Sequence, residues 1–282
     1  MNKSIYERQN DEFILKCLAL QGIKYSEAKR FLGYKDCLTF LYVIFSVAGT
    51  AYNNNNFTAF VNLFSLGLMF ISRICDESGM KRALYAAEVQ KFIDISLFSL
   101  ADDLNWGSLG RLLPKQSLEK QFEKYEPLNV NHFRDWYNFN ACHSLEEQIY
   151  YCQRENVKTD SRVKIHYLTF IGLFSLTIFF ITMTFLLLKS ETINVINVIY
   201  CLIWCVPIIS YIYTLRKGYL DSIHCIALSE KICQDIEIYI NNGSLSRHKD
   251  LLVDLQETIQ DNRKILSFVP DWFFKIDSAI FG

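Results

Sequence analysis

YLTFIGLFSLTIFFITMTFLLL, from Tyr167 to Leu188, and INVINVIYCLIWCVPIISYIYTL, from Ile193 to Leu215, hold no charged residue and are joined only by Lys189, Ser190, Glu191 and Thr192. At about 1.5 Å per residue each run spans roughly 33 Å as a helix, enough for a hydrocarbon core of about 30 Å. The pair therefore reads as a transmembrane hairpin. Working outward, a shorter uncharged pair, Cys37 to Tyr52 and Phe57 to Ser72, flanks Asn53, Asn54, Asn55 and Asn56. Each of these spans roughly 24 Å, a length that suits either a membrane hairpin or a buried hairpin in a soluble helical core.

Lysine and arginine near helix ends set the orientation, because positive residues are retained on the cytoplasmic side. Lys24, Lys29, Arg30 and Lys35 precede the first run; Arg73, Lys81 and Arg82 follow the second. Arg154, Lys158, Arg162 and Lys164 precede the third, and Arg216 and Lys217 follow the fourth. The far side holds only Lys189. The expected organisation is a cytoplasmic helix over 1–36, a transmembrane hairpin over 37–72, a cytoplasmic helical region over 73–166, a second hairpin over 167–215 and cytoplasmic helices over 216–282. Both termini are cytoplasmic in this reading, and the fold class is all-α.

The cytoplasmic pieces carry helical signals. Phe13, Ile14, Cys17, Leu18, Gln21, Tyr25, Ala28 and Leu32 follow a 3.6-residue period leading into the first span. Ser144 with Glu147 has capping-box spacing, and no proline interrupts the chain from there to Pro207, which predicts one helix running through the third span. After the fourth span a helix continues to a stop at Asn241, Asn242 and Gly243, and a final helix carrying Leu251, Leu255, Ile259 and Leu266 ends before Pro270.

Composition narrows the function. The 282 residues are 51% hydrophobic and 21% charged with a net charge of −1, so there is no global field to attract nucleic acid. Nine cysteines form no CxxC pair, and Cys37, Cys75, Cys201 and Cys205 lie in or beside apolar stretches, which favours reduced, buried thiols over a disulfide framework. The polar opening MNKSIYERQNDEF is unlike a cleaved signal peptide. No phosphate loop, HExxH, GxSxG or EF-hand pattern occurs, and the five histidines match no zinc spacing. No enzyme, cofactor or metal is expected.

Within the spans, Thr58, Asn62, Ser65, Met69 and Ser72 share one face of the second, and Asn194, Asn197 and Cys201 share one face at the outer end of the fourth. Gly172, Ser175 and Thr182 form a small-residue seam on the third. Such residues either pack helices together or line a pore. No span contains a charge, which disfavours a proton-coupled carrier. Pro207 removes a backbone donor and serves as either a hinge or a simple bend.

Several cytoplasmic stretches, Ser4–Asn10 (SIYERQN), Ala86–Asp94 (AAEVQKFID), Leu104–Trp106, Asp135–Tyr137 (DWY), Cys152–Asn156 (CQREN) and Val269–Phe273 (VPDWF), together resemble the four-transmembrane (S-4TM) effector family. The resemblance runs over almost the whole chain. It implies an effector of bacterial anti-phage immunity of the CBASS type in the inner membrane, working beside a nucleotidyltransferase. Activated by a cyclic di- or oligonucleotide, such an effector permeabilises the membrane and causes abortive infection, and a homo-oligomer in the lipid bilayer is the implied form. A cyclic nucleotide needs cations for its phosphates and aromatic faces for its bases, and Trp106, Trp136, Tyr137, Arg154, Asn156, Arg162, Arg263 and Trp272 supply those types. For any one of them the commoner role is structural, a buried tryptophan in the core or an arginine at the lipid headgroups. A non-conducting scaffold or accessory subunit and a small-solute transporter are the competing functions.

Overall fold

The structure, a computed structural model, describes residues 4–51, 55–98, 112–137, 144–189, 195–264, 269 and 271–281. Among them every regular element is helical. The order is α1 (Ile5–Gln9), α2 (Glu12–Ala51), α3 (Asn55–Phe98), α4 (Lys115–Tyr125), a 3-10 turn (Asn131–Phe133), α5 (Leu145–Lys189), α6 (Val195–Asn241), a second 3-10 turn (Leu245–Arg247), α7 (Asp250–Lys264) and α8 (Asp271–Phe281).

The helix ends are marked by local chemistry. Ser4 and Glu7 form a reciprocal capping box at α1. The Asp11 carboxylate accepts from the Phe13 N–H at the start of α2 at 2.9 Å, and Ser144 Oγ accepts from the Glu147 N–H at the start of α5 at 3.3 Å. At the end of α6, Gly243 takes φ +63°, the Ser244 N–H donates to the Tyr239 carbonyl at 2.9 Å and the Gly243 N–H to the Ile240 carbonyl at 3.0 Å. That is a Schellman stop, built where glycine alone takes the left-handed backbone without strain.

Two compact units divide the chain. The first comprises Met1–Glu27, Lys81–Arg162 and Asp221–Leu266; the second comprises Ala28–Met80, Val163–Leu220 and Ser267–Gly282. In the first unit, Ile14, Leu20, Phe92, Ile149, Leu252 and Leu255 are among the buried side chains of one continuous core, each contributing about 1.5–3 kcal/mol relative to exposure.

The second unit is tied by short-range contacts between helices. Ser72 Oγ donates to the Lys35 carbonyl at 3.2 Å and lies 3.1 Å from Thr39 Oγ1, so α2 and α3 meet through hydroxyls. Gly79 lets α3 approach Leu32 closely. The ring of Phe273 packs on Tyr167 at 5.2 Å, and Asp277 meets His166 at 2.6 Å, joining α8 to α5. Helix α8 lies beyond Pro270, where the sequence pattern places the end of the last helix.

Apolar side chains also cover the outside of this unit. Leu63 is 74% exposed and Phe70 67%, with Phe60, Leu173, Phe180 and Ile181 similarly open. Apolar surface on this scale marks contact with lipid or protein. Among the described residues two helical stretches, Ala59–Phe98 and Leu145–Ile181, are long and apolar enough to cross a membrane. Four spans were expected from the sequence, and these two are the ones the described residues carry.

Candidate ligand-binding site

The segment Asn131–Tyr137 has little regular structure of its own and is held by side chains. Asp135 sits at φ 53°, and Asn10 braces it twice: Asn10 Nδ2 donates to Asp135 Oδ1 at 2.9 Å and Asn10 Oδ1 accepts from the Asp135 N–H at 3.1 Å. Gln9 does the same one step on, donating to the Tyr137 carbonyl at 3.0 Å and accepting from the Tyr137 N–H at 2.8 Å. The Tyr137 hydroxyl accepts from Asn156 Nδ2 at 3.1 Å. Burial holds that hydroxyl well above the usual tyrosine range, with the Asp94 carboxylate adding to the effect.

Beneath this segment lies a cavity of about 160 Å³ in the first unit. Its aromatic wall is Phe133, Trp136 and Tyr137, and its polar wall includes Gln21, Gln90 and Asp94. Phe133 and Trp136 lie 6.3 Å apart with their planes 34° from parallel. Trp136 is 54% exposed, so the cavity has an aromatic rim open to solvent.

Asp94 anchors the polar wall. Its Oδ2 accepts from Arg263 Nη1 at 2.5 Å and from Gln256 Nε2 at 2.8 Å, with Gln260 Nε2 at 3.5 Å. Gln153 Nε2 extends the network by donating to Gln256 Oε1 at 3.1 Å and to the Leu252 carbonyl at 2.8 Å. Two buried charges in one pocket of protein are tolerated when paired and hydrogen-bonded in this way. The nearby thiols offer no activated nucleophile: burial raises Cys17 to about 12 and pushes Cys152 further up. The groups gathered here are suited to recognition.

Four of the residues singled out from the sequence meet here. Trp136 and Tyr137 line the cavity, Asn156 holds the Tyr137 hydroxyl, and Arg263 holds Asp94. Arg154 stands apart, paired with Glu237 at 2.8 Å, where Glu237 also accepts from the Tyr150 hydroxyl. Trp106 lies outside the described residues, and for Arg162 and Trp272 only the helical backbone is described.

Of the proposed pore-lining set, Ser65 and Ser72 are buried inside the second unit and Met69 is exposed. Asn194 lies outside the described residues, and Thr58, Asn62, Asn197 and Cys201 are described by backbone alone. The backbone of α6 stays helical through Pro207.

Sequence reasoning did not select Gln9, Gln21, Gln90, Asp94 or Phe133. A signal existed for three of them, since Gln9 lies in SIYERQN and both Gln90 and Asp94 lie in AAEVQKFID. These stretches, with DWY and CQREN, are separated by tens of residues and meet around one cavity through Gln9, Asp94, Tyr137, Gln153 and Asn156.

Long helices with outward apolar side chains, two of them long and apolar enough to cross a membrane, stand beside a helical unit that encloses a cavity lined by aliphatic, aromatic and polar side chains. The chain belongs to the family described as the SMODS-associating 4TM effector domain, S_4TM, which it matches over residues 3–278. No curated protein and no solved structure matches it.

Proposed function

We propose that this protein is the membrane-permeabilising effector of a cyclic-oligonucleotide signalling system, activated when a cyclic nucleotide binds the first unit. One observation carries the reading: two buried hydrogen-bonded networks, Gln9 with Tyr137 and Asn156 and Asp94 with Arg263 and Gln256, meet through Gln9, Asp94 and Tyr137 at one cavity with an aromatic rim. A buried network of this kind specifies one arrangement of its helices, and a ligand that binds one arrangement better than another shifts the population between them. The helices that carry the network continue as the apolar helices. Asp94 is on α3 and Asn156 on α5, each a single helix of more than ten turns with an apolar portion.

In this reading the chain crosses the inner membrane four times as two hairpins over 37–72 and 167–215, with both termini and the ligand site in the cytoplasm. The flanking lysines and arginines support that orientation. Subunits assemble as a homo-oligomer, because four uncharged helices of one chain have too few polar faces to enclose a water-filled lumen. Asn62 on the second span and Asn197 on the fourth then face the lumen, and a nucleotidyltransferase supplies the ligand. Opening the membrane of an infected cell ends phage replication together with the cell.

The test is membrane potential in cells that express the protein with and without an active cyclic-nucleotide synthase. Depolarisation that needs both proteins is the expected result. A cell that stays polarised while the ligand accumulates overturns the reading in favour of a non-conducting scaffold.

A further inference from the structure

We propose that the cavity beneath Trp136 is a pocket for a single nucleobase and that it selects guanine; this rests on the cyclic-nucleotide reading above and names the base it takes. Size decides the first half. At about 160 Å³ the cavity is far below the roughly 300–1,000 Å³ of pockets that enclose whole drug-sized ligands, and matches one that holds a single flat ring system. A base enters, while sugars and phosphates stay outside. Arg134 and His132 are both exposed on the segment that carries Phe133 and Trp136 and would supply cations for the phosphates.

The polar groups decide the second half. All the hydrogen bonds that fix Asp94 fall on Oδ2, which leaves Oδ1 to accept in a residue that lines the cavity and is only 2% exposed. Gln9 is fully spent on Tyr137. Gln90 accepts from the Tyr25 hydroxyl at 3.3 Å through Oε1, which leaves its amide NH₂ to donate. Gln21 adds a carboxamide with both functions. The cavity thus offers a carboxylate oxygen that needs N–H donors, beside an amide that needs an acceptor.

Guanine meets that demand along one edge, since N1–H and the N2 amino group are adjacent donors and O6 is the neighbouring acceptor. Adenine offers a single amino group and sets the N1 lone pair beside the carboxylate. Uracil flanks its one N–H with two carbonyl oxygens. Hydrogen bonds to a charged acceptor are about twice as strong as neutral ones, and a lone pair aimed at a carboxylate is repelled, so the edge pattern discriminates more sharply than stacking on Phe133 and Trp136 does.

Isothermal titration of the full chain in detergent with cyclic di-GMP, cyclic di-AMP and cyclic di-UMP tests the proposal. Cyclic di-GMP is expected to bind at least about tenfold more tightly than the other two, the discrimination that paired polar groups give over an analogue leaving them unpaired. Trp136→Ala, at a half-exposed position, is expected to weaken all binding. Gln90→Leu is expected to remove most of the guanine preference. If the three ligands bind equally, or if guanine binding ignores both substitutions, the pocket assignment falls while the cyclic-nucleotide reading stands. If no ligand of the three binds, the pocket assignment falls. Selective binding that never depolarises a membrane upholds the pocket and overturns the effector reading.

Discussion

Asp94 on α3 and Arg263 on α7 form an ion pair at 2.5 Å with side chains only 2% and 3% exposed, so the first unit is built around a charge pair with almost no access to water. Removing one partner leaves the other as an uncompensated buried charge, whereas replacing both by apolar residues of similar volume does not. Arg263→Ala is expected to cost about 3–5 kcal/mol. The double variant Asp94→Leu/Arg263→Met should recover most of that loss in thermal unfolding while abolishing ligand binding. A double variant no more stable than Arg263→Ala would show that the pair does not act as a unit.

Gln9 is the second support. Its side chain pairs with both backbone groups of Tyr137, so Gln9→Ala leaves a buried N–H and a buried carbonyl unsatisfied, at a cost of about 2–3 kcal/mol. Hydrogen exchange at the Tyr137 amide should accelerate strongly. Gln9→Glu retains the acceptor for the N–H but aims a carboxylate at the carbonyl oxygen, and is expected to be as damaging as the alanine variant. Protection at Tyr137 equal to that of the parent in both variants would contradict the bracing role.

In the second unit, a Cβ at Gly79 would lie 2.8 Å from Leu32 Cγ and 3.3 Å from Phe31 Cβ, neither of which is the loose end of a side chain. Gly79→Ala should therefore cost about 1–3 kcal/mol by overpacking the α2–α3 crossing. Leu32→Ala in the same chain opens the space and should return part of that loss. Denaturation in detergent reads both, and additive losses would argue against direct contact.

Burial raises the Cys17 thiol to about 12 and the Cys233 thiol to about 11. The unfolded chain releases these protons near the usual thiol range, while the folded chain holds them. The stability they contribute is therefore complete below about pH 9 and is lost as pH rises toward the folded values. The unfolding midpoint should fall on the alkaline side, with a shallower fall in Cys17→Ala. A midpoint flat from pH 8 to 11 would be inconsistent with a buried protonated thiol.

The long helices were legible because their signals are local. Uncharged runs, the absence of proline between Ser144 and Pro207, and the Asn-Asn-Gly stop of α6 are each read from neighbouring residues, and the structure returns α5 and the end of α6 where those signals put them. The cavity was not legible, because Gln9, Gln21, Gln90, Asp94 and Phe133 come from four segments brought together only by helix packing. A glutamine also looks alike in sequence whether it is solvated or spent on a buried backbone. Helix α8 was hidden by Pro270, which reads as a stop for α7 and stands equally well just ahead of a new helix. The face drawn through Ser65, Met69 and Ser72 is divided in the folded chain, with both serines turned inward and Met69 outward, since helical periodicity groups residues without saying which neighbour they meet.

Ion flux through liposomes that contain only the purified protein tests the central claim most directly. Adding a cyclic dinucleotide that binds the first unit should start the release of an entrapped ion reporter, and Asn62→Leu/Asn197→Leu should suppress that release at unchanged ligand binding by making the proposed lumen face apolar. Liposomes that stay sealed at saturating ligand would contradict the account, whatever the ligand affinity proves to be.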